Sequence, residues 1–138
     1  MPILEAANEA VGNLTNKDIG EVRAYATPPK DIQNVMSAVM TVLGKPNADW
    51  ASVKKEMTDP KFMKRITDLD KNNMSEATMR RIEAYTKKDN FLPQILVQKS
   101  IVAGALCSWV RAVEEYHKAL KIVRPKIKKK EDAEALLA

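Results

Sequence analysis

The fold of this chain is decided by residues 101–127, whose sequence is IVAGALCSWVRAVEEYHKALKIVRPKI. Apolar residues recur there at alternating spacings of four and three, namely at Val102, Leu106, Trp109, Val113, Tyr116, Leu120, Val123 and Ile127. A period of about 3.5 residues is typical of a helix that carries a narrow apolar seam. Such a helix needs a partner helix, because the seam would otherwise face water.

A shorter apolar stripe near the N-terminus supplies the partner. It consists of Leu4, Ala7, Val11 and Leu14, at spacings of three, four and three. Because the two stripes lie near opposite ends of the chain, they can pair as an antiparallel hairpin that holds the intervening residues at its tip. We therefore predict a stalk helix over residues 1–14, a globule over residues 15–111 and a second stalk helix over residues 112–138.

The two stripes also predict which residues meet in the stalk. In an antiparallel pair, we expect the N-terminal stripe to pack against the part of the long helix that runs from Val113 towards Ile127. The predicted stalk seam comprises Leu4, Val11, Leu14, Val113, Leu120, Val123 and Ile127.

Capping signals divide the globule into helices. Two cap-then-proline pairs, Thr27-Pro28 and Asp59-Pro60, each indicate a helix N-terminus with proline in the first turn, and Gly44 indicates a C-terminus. Pro93 suits the first turn of the last helix, and Gly104 inside that helix indicates close packing against a neighbour. No alternating strand pattern occurs, so the predicted fold class is all-α.

The composition agrees with a helical protein. Aromatic residues make up 5% of the chain and methionines number seven, which favours helices over a β-sandwich. No apolar run approaches the roughly 18 residues that a membrane span needs, and no signal-peptide pattern opens the chain. The single cysteine, Cys107, excludes an internal disulfide and fits a reducing compartment.

No recognisable catalytic motif is present. The four glycines form no phosphate-binding loop, and Cys107 has no base placed to activate it, so we expect a small packed side chain. The single histidine, His117, has no partners at metal-ligand spacing and is predicted to lie on the flank of the stalk. We therefore predict no catalytic residue, no metal site and no cofactor.

Positive charge is concentrated towards the C-terminus. Residues 1–92 hold 14 lysines and arginines against 13 acidic residues, whereas residues 93–138 hold nine against five. The excess lies at Lys118, Lys121, Arg124, Lys126, Lys128, Lys129 and Lys130. This cluster is either a solvated coiled-coil face or an electrostatic footprint for an acidic polymer, and bulk charge does not decide between the two.

Several short motifs, in a fixed order, resemble the microtubule-binding domain of dynein heavy chains. They are Glu21-Val22-Arg23, Pro28-Pro29, Asp49-Trp50, Leu106-Cys107-Ser108-Trp109 and Val123-Arg124-Pro125-Lys126. Each motif alone is weak, but their order and spacing between two heptad stretches are specific. The resemblance runs from Pro2 to about Lys130, and the last two motifs look more like axonemal than cytoplasmic dyneins.

This resemblance implies a six-helix globular cap on the distal end of an antiparallel two-helix coiled-coil stalk. It implies that the partners are the microtubule, through α/β-tubulin, and the remainder of a dynein heavy chain, through the stalk. The ATPase ring would lie at the other end of the stalk, so the chain itself would not be an enzyme. The implied location is the cytoskeleton of a ciliary or flagellar axoneme, with neither a nucleic acid nor a membrane as a partner.

The resemblance also implies positions that contact tubulin. The implied microtubule-binding residues are Lys17, Arg23, Lys54, Lys55, Gln98 and Lys99, with the last two early in the final helix. Thr15 and Asn16 stand where the family often carries paired lysines, which suggests a differently tuned contact. We expect the basic residues of this set to converge on one surface away from the stalk.

The family further implies a switch in the stalk. Pro2 and Pro125 match prolines that flank the globule, and we expect them to act as stalk hinges. A heptad seam permits discrete registers, so a shift of the N-terminal helix along the last helix would move the Lys17–Ala24 segment and set the affinity for tubulin. Two alternatives remain open, namely a nucleic-acid-binding helical domain that uses Lys118–Lys130 and a structural coiled-coil adaptor.

Overall fold

The computed structural model describes the backbone of residues 2–46, 48–70 and 74–137, and the side chains of residues 3–46, 48–70 and 74–122. Within these ranges all regular structure is helical, so the predicted fold class is confirmed. The helices are α1 (Pro2–Gly12), α2 (Asn16–Arg23), α3 (Lys30–Val42), α4 (Trp50–Thr58), α5 (Phe62–Thr67), α6 (Glu76–Thr86), α7 (Pro93–Leu96) and α8 (Ile101–Leu137). In the described residues, no helix is both long and apolar enough to cross a membrane.

Helix α8 forms a common wall against which most other helices pack. It contacts α1, α2, α3, α6 and α7. Helix α3 fills the centre of the globule and contacts α4, α6 and α8, and several of its apolar side chains, including Ile32, Val35, Met36, Val39 and Met40, have no exposed surface. The globule is therefore built onto the first part of α8, and the rest of that helix extends beyond it.

Helix α1 pairs with α8 in the antiparallel sense that the two apolar stripes predict. Ile3 lines a groove with Ala112 and Glu115, whereas Leu14 lines the adjoining groove with Ile101 and Gly104. Leu4, Ala7 and Val11 are buried on the inner face of α1. The indole Nε1 of Trp109 donates a hydrogen bond of 3.0 Å to Asn8 Oδ1, which favours the observed register of the two helices.

The position of α1 along α8 differs from the expected one. Helix α1 lies beside residues 101–115, a range that includes Val113 of the predicted distal seam and excludes Leu120. The physical reason is that Leu106, Trp109 and Val110 in the first part of α8 form a fully buried apolar surface, against which α1 packs. Leu120 is half-buried, and the side chains of Val123 and Ile127 lie outside those described.

Two predicted helix starts lie earlier than the observed ones. Helix α3 begins at Lys30 rather than beside Thr27, because Thr27 and Pro28 each precede a proline, which disfavours helical backbone, and Pro29 is itself extended with ψ 147°. Helix α5 begins at Phe62 rather than at Pro60. Asp59 Oδ1 accepts the N–H of Lys61 at 2.8 Å and its carbonyl accepts the N–H of Phe62, so Asp59 closes a turn before the helix.

The predicted end of α3 at Gly44 is confirmed. Gly44 has φ 88°, and the N–H of Lys45 donates to the carbonyl of Met40 at 2.8 Å while the N–H of Gly44 donates to that of Thr41. These two bonds form a Schellman motif, which needs a residue in the left-handed region and therefore favours glycine.

The predicted last helix is two helices. Pro93 begins the short α7, the chain turns over residues 97–100, and α8 begins at Ile101. Ser100 caps α8, since its Oγ accepts the N–H of Ala103 at 3.2 Å. Helix α8 then continues through Pro125 to Leu137. The side chains of Pro2 and Pro125 lie outside those described, so their action as hinges stays a prediction.

Gly104 has the close neighbour that the sequence predicts. A Cβ at this position would lie 2.8 Å from Cβ and 2.9 Å from Cα of Val97, in the turn that precedes α8. Glycine therefore permits the 97–100 turn to fold back onto the first turns of α8.

We expect Gly104→Ala to destabilise the fold by about 1–3 kcal/mol, because the added methyl must displace the backbone of the 97–100 turn. Urea unfolding followed by circular dichroism measures this change. Gly12→Ala is the matched control, since a Cβ there meets nothing within 4 Å. It should be neutral or stabilising by up to about 1 kcal/mol. Equal unfolding free energies for the Gly104→Ala variant and the wild type would contradict the close contact.

Candidate functional site

Helix α2 presents Lys17 near the end of the globule at which α1 finishes. Thr15 caps the helix, since its Oγ1 accepts the N–H of Asp18 at 3.1 Å while Asp18 Oδ2 accepts the N–H of Thr15 at 2.9 Å. This capping box fixes where the helix begins and leaves Lys17 exposed in its first turn. Thr15 therefore acts as a helix cap at a position where the resemblance implies a lysine in other members.

Arg23 joins α2 to α4. Its Nη1 donates to the carbonyl of Met57 at 3.4 Å, close to the C-terminal end of α4, where carbonyls lack partners within the helix. A second link is the hydrogen bond of 3.0 Å from Trp50 Nε1 to the carbonyl of Tyr25. The half-buried Lys54 precedes Met57 by less than one turn, so Arg23 reaches the half of α4 that carries Lys54.

Helix α4 is held on its other flank by a charged cluster. Glu56 pairs with Lys45, and its Oε2 lies 2.6 Å from Nη2 of Arg65, which in turn lies 3.7 Å from Oδ2 of Asp59. The hydrogen bond from Lys45, followed by that from Arg65, lowers the pKa of Glu56 below its ordinary value. The cluster thereby ties α4 to α5 and to the connection after α3.

Lys55 lies beside this cluster. It lines a groove with Lys45, Pro46 and Ser52, next to the connection between α3 and α4. Asp49 caps the same helix by accepting the N–H of Ser52 at 2.8 Å, and hydrogen bonds from Ser52 lower the pKa of Asp49. Among the described residues, no hydrogen bond or ion pair joins Lys55 to Arg23.

Gln98 and Lys99 precede α8 and do not lie early in it, which corrects their predicted placement. Gln98 is exposed, whereas Lys99 Nζ donates to Oδ2 of Asp31, a nearly buried carboxylate on the first turn of α3. Asp31 Oδ1 also accepts the N–H of Ile32 at 2.9 Å. Much of the charge of Lys99 is therefore balanced inside the globule.

The predicted binding residues thus form two groups. Lys17, Arg23, Lys54 and Lys55 are carried by α2 and α4, whereas Gln98 and Lys99 belong to the 97–100 turn attached to α3. Convergence of both groups on a single surface stays a prediction.

Two lysines of the C-terminal basic cluster have described side chains, and both face carboxylates. Lys121 Nζ lies 2.7 Å from Oε2 of Glu76, and Lys118 Nζ lies 3.6 Å from Oε1 of Glu114. His117 Nε2 lies 3.1 Å from the other oxygen of Glu76, so the histidine attaches α6 to α8. The remaining lysines of the cluster, and Arg124, lie outside the described side chains.

Several residues that position these groups were not predicted from the sequence. Asp31, Glu56 and Arg65 act through partners far away in the chain, and so does Arg111, whose Nη1 donates to the carbonyls of Thr86 and Phe91 at 3.2 and 3.3 Å. No local pattern signals such pairings. Ser100 is different, because a serine directly before the apolar run that begins a helix is a recognisable N-capping signal.

Cys107 is a packed core residue, as expected. It has no exposed surface, and desolvation raises the pKa of its thiol to about 12, so the thiolate nucleophile is scarce at neutral pH. Among the described residues, no group of three or more histidine, cysteine or acidic side chains is placed to hold a metal ion.

Known proteins resemble this chain over nearly all of its length. The family described as the microtubule-binding stalk of dynein motor matches residues 1–138. Human Dynein axonemal heavy chain 2 is 38% identical over 126 residues, and the Dynein-1-beta heavy chain, flagellar inner arm, of Chlamydomonas reinhardtii is 34% identical over 138 residues. These matches cover 91% and 100% of the chain, which spans about 3% of the length of either relative.

A solved structure has the same architecture. The microtubule binding domain of dynein-c superimposes with a TM-score of 0.76 and 28% sequence identity. The match covers 91% of this chain and 89% of that domain. The fold implied by the resemblance is thereby confirmed.

We expect Glu56→Gln to destabilise the fold at about pH 7 by about 0.5–1 kcal/mol, the size typical of partly exposed ion pairs. Because the folded-state pKa of Glu56 is lowered from 4.5, its stabilising effect is present above that value and is lost as the pH falls through the folded-state pKa. The difference between wild type and variant should therefore shrink between about pH 7 and about pH 3.

Urea unfolding at several pH values tests this expectation. The exposed Glu5→Gln on α1 serves as the control for loss of one carboxylate. A difference for Glu56→Gln that stays constant down to the acidic end of the series would show that the charged cluster does not hold α4.

Proposed function

The chain belongs to the family of microtubule-binding stalks of dynein motors, and from this premise we propose that it binds the microtubule through a basic face built by α2 and α4. The observation that carries the proposal is the bond from Arg23 to the carbonyl of Met57, which attaches a basic residue of α2 to the C-terminal end of α4, the helix that carries Lys54. Lys17 adds an exposed positive charge in the first turn of the same helix. Tubulin is strongly acidic, so such a face speeds encounter and makes binding sensitive to salt.

The proposed partners follow from the two ends of the molecule. The globule meets α/β-tubulin, and the free ends of α1 and α8 continue into the rest of a dynein heavy chain in a ciliary or flagellar axoneme. ATP hydrolysis takes place elsewhere in that heavy chain. The chain is then a binding module that consists of two stalk helices, residues 1–14 and 112–138, and a globule, residues 15–111.

A nucleic-acid-binding function has no support from the described side chains. Lys118 and Lys121, which begin the C-terminal basic cluster, are paired with Glu114 and Glu76. These pairs reduce the charge available to a phosphate backbone. Co-sedimentation with microtubules and with duplex DNA, at low and high salt, separates the three functions, because an adaptor would bind neither polymer.

Affinity is set by the register of α1 on α8. Helix α1 runs directly into α2 through the short segment between Gly12 and Asn16, so a shift of α1 moves Lys17 and Arg23. A seam of heptad type permits a shift of about one turn, because apolar residues then occupy new holes. The position of α2 thereby couples the stalk to the tubulin-facing surface.

We expect Arg23→Glu combined with Lys54→Glu to weaken microtubule co-sedimentation by about tenfold or more, because reversal removes attraction and adds repulsion. The control is Lys87→Glu with Lys88→Glu, which makes the same charge change at exposed positions between α6 and α7. Circular dichroism should be unchanged for both. Unaltered pelleting of the first variant would rule out the α2–α4 face.

Disulfides test the register in a Cys107→Ala background. Ala10→Cys with Ser108→Cys should lock the observed register, since the bond between Asn8 and Trp109 of the antiparallel pair puts Ala10 level with the turn that holds Ser108, and Ala10→Cys with Ala112→Cys should lock α1 about one turn away. We expect the two oxidised proteins to differ in microtubule affinity by about fivefold or more, with the difference abolished by reduction. Equal affinities would contradict switching by register and leave the binding face unaffected.

A further inference from the structure

Large apolar side chains are exposed around the turn that precedes α8. Val97 is 49% exposed and Ile101 is 62% exposed, and the neighbouring Ile95 is 36% exposed. Elsewhere in the described side chains, only Ile3 and Ile122 are comparably exposed. Scattered apolar residues on a surface need no explanation, but a cluster marks an interaction site.

Val97 and Ile101 line one cavity with Leu14, Ala10 and Pro93. Its volume is about 420 Å³, and it lies where the end of α1 meets the start of α8. We refer to Leu14, Val97 and Ile101 as the apolar tip patch. Because α1 ends and α8 begins here, the patch lies at the end of the globule remote from the stalk.

The apolar tip patch is held rigidly. The absence of a side chain at Gly104 lets the backbone of Val97 lie against α8, and Ser100 caps the helix that carries Ile101. On the other side of the turn, Lys99 is bonded to the nearly buried Asp31. A turn whose backbone is already held in place loses little backbone entropy on binding, which favours its use as a contact segment.

Polar and basic residues surround the apolar tip patch. Gln98 and Lys99 lie between Val97 and Ile101 in the same turn, and Lys17 follows Leu14 within one turn of the chain. An apolar centre with a polar rim is the usual organisation of a protein–protein interface. The positive charge of the exposed Lys17 complements an acidic protein surface, and Lys17 belongs to the proposed microtubule-binding residues.

We propose that the apolar tip patch is the desolvated centre of the contact with the microtubule, and that Lys17, Gln98 and Lys99 form part of its rim. This inference rests on the proposed function. It adds an apolar contribution to microtubule affinity, which salt does not screen. Burial of Val97 and Ile101 against an apolar site on tubulin stabilises the complex, whereas the basic residues steer encounter. Asp31 then acts as a positioning residue, because it holds the turn in place.

The test is Val97→Thr combined with Ile101→Gln in the whole 138-residue chain. Threonine keeps the branched shape that packs on Gly104, and glutamine removes the apolar surface without adding charge. Microtubule co-sedimentation at a series of salt concentrations gives the affinity and its salt dependence. Ile122→Gln is the matched control, since Ile122 is 61% exposed on α8 beyond the globule.

We expect the double variant to bind microtubules about fivefold or more weakly at every salt concentration, with the slope of log affinity against log salt unchanged. Ile122→Gln should bind like the wild type. Wild-type affinity in the double variant, while Arg23→Glu with Lys54→Glu still weakens binding, would overturn the apolar centre and leave the proposed function intact.

Two other outcomes would also overturn the inference. Loss of self-association in the double variant, with unchanged microtubule affinity, would assign the patch to a second copy of the chain. Failure of the wild type to bind microtubules at any salt concentration would overturn the proposed function together with this inference. Sedimentation velocity without microtubules distinguishes the first of these outcomes.

Discussion

The burial of Trp109 between α8 and α1 is the constraint on which the rest of the structure depends. This side chain has no exposed surface, and its indole N–H needs an acceptor inside an otherwise apolar seam. Asn8 of α1 supplies that acceptor at 3.0 Å, so one polar contact selects the register among those that the apolar stripes permit. A shift of α1 by about one turn would bring Leu4 or Gly12 to the place of Asn8 and would break a bond worth about 1 kcal/mol. The bond thus favours the observed register without excluding a neighbouring one.

Helix α8 contacts most of the other helices, but it holds them by different kinds of interaction. Its first turns hold the 97–100 turn through Gly104, and its middle holds α6 through Arg111 and through the bond of 2.7 Å from Thr86 Oγ1 to Glu114. Farther along, His117 and Lys121 both reach Glu76. Helix α6 is therefore fixed to α8 by polar contacts at both of its ends. By contrast, α1 contacts α8 through an apolar face and one described side-chain hydrogen bond, so α1 is the element better suited to move.

The net charge of +5 is a poor guide to the binding face. Lys45 and Arg65 pair with Glu56, Lys99 pairs with Asp31 and Lys121 pairs with Glu76, so much of the positive charge stabilises contacts between elements. What remains for tubulin under the proposed function is a small set on α2 and α4. An interface with few charges benefits from an apolar contribution, which is the role that the apolar tip patch would fill.

The sequence by itself determined the helical class, the antiparallel pairing of the two stripes, the end of α3 at Gly44 and the packed state of Cys107. These features depend on periodicity, on backbone preference or on side-chain hydrophobicity, all of which are local properties. It also indicated a close neighbour for Gly104 without identifying Val97. Only the tertiary structure decided where α1 sits along α8, that the chain turns between α7 and α8, and that Lys99 faces Asp31. The physical reason is that a seam defines a face but not a position along it, and that ion pairs join residues distant in the chain according to how the helices pack.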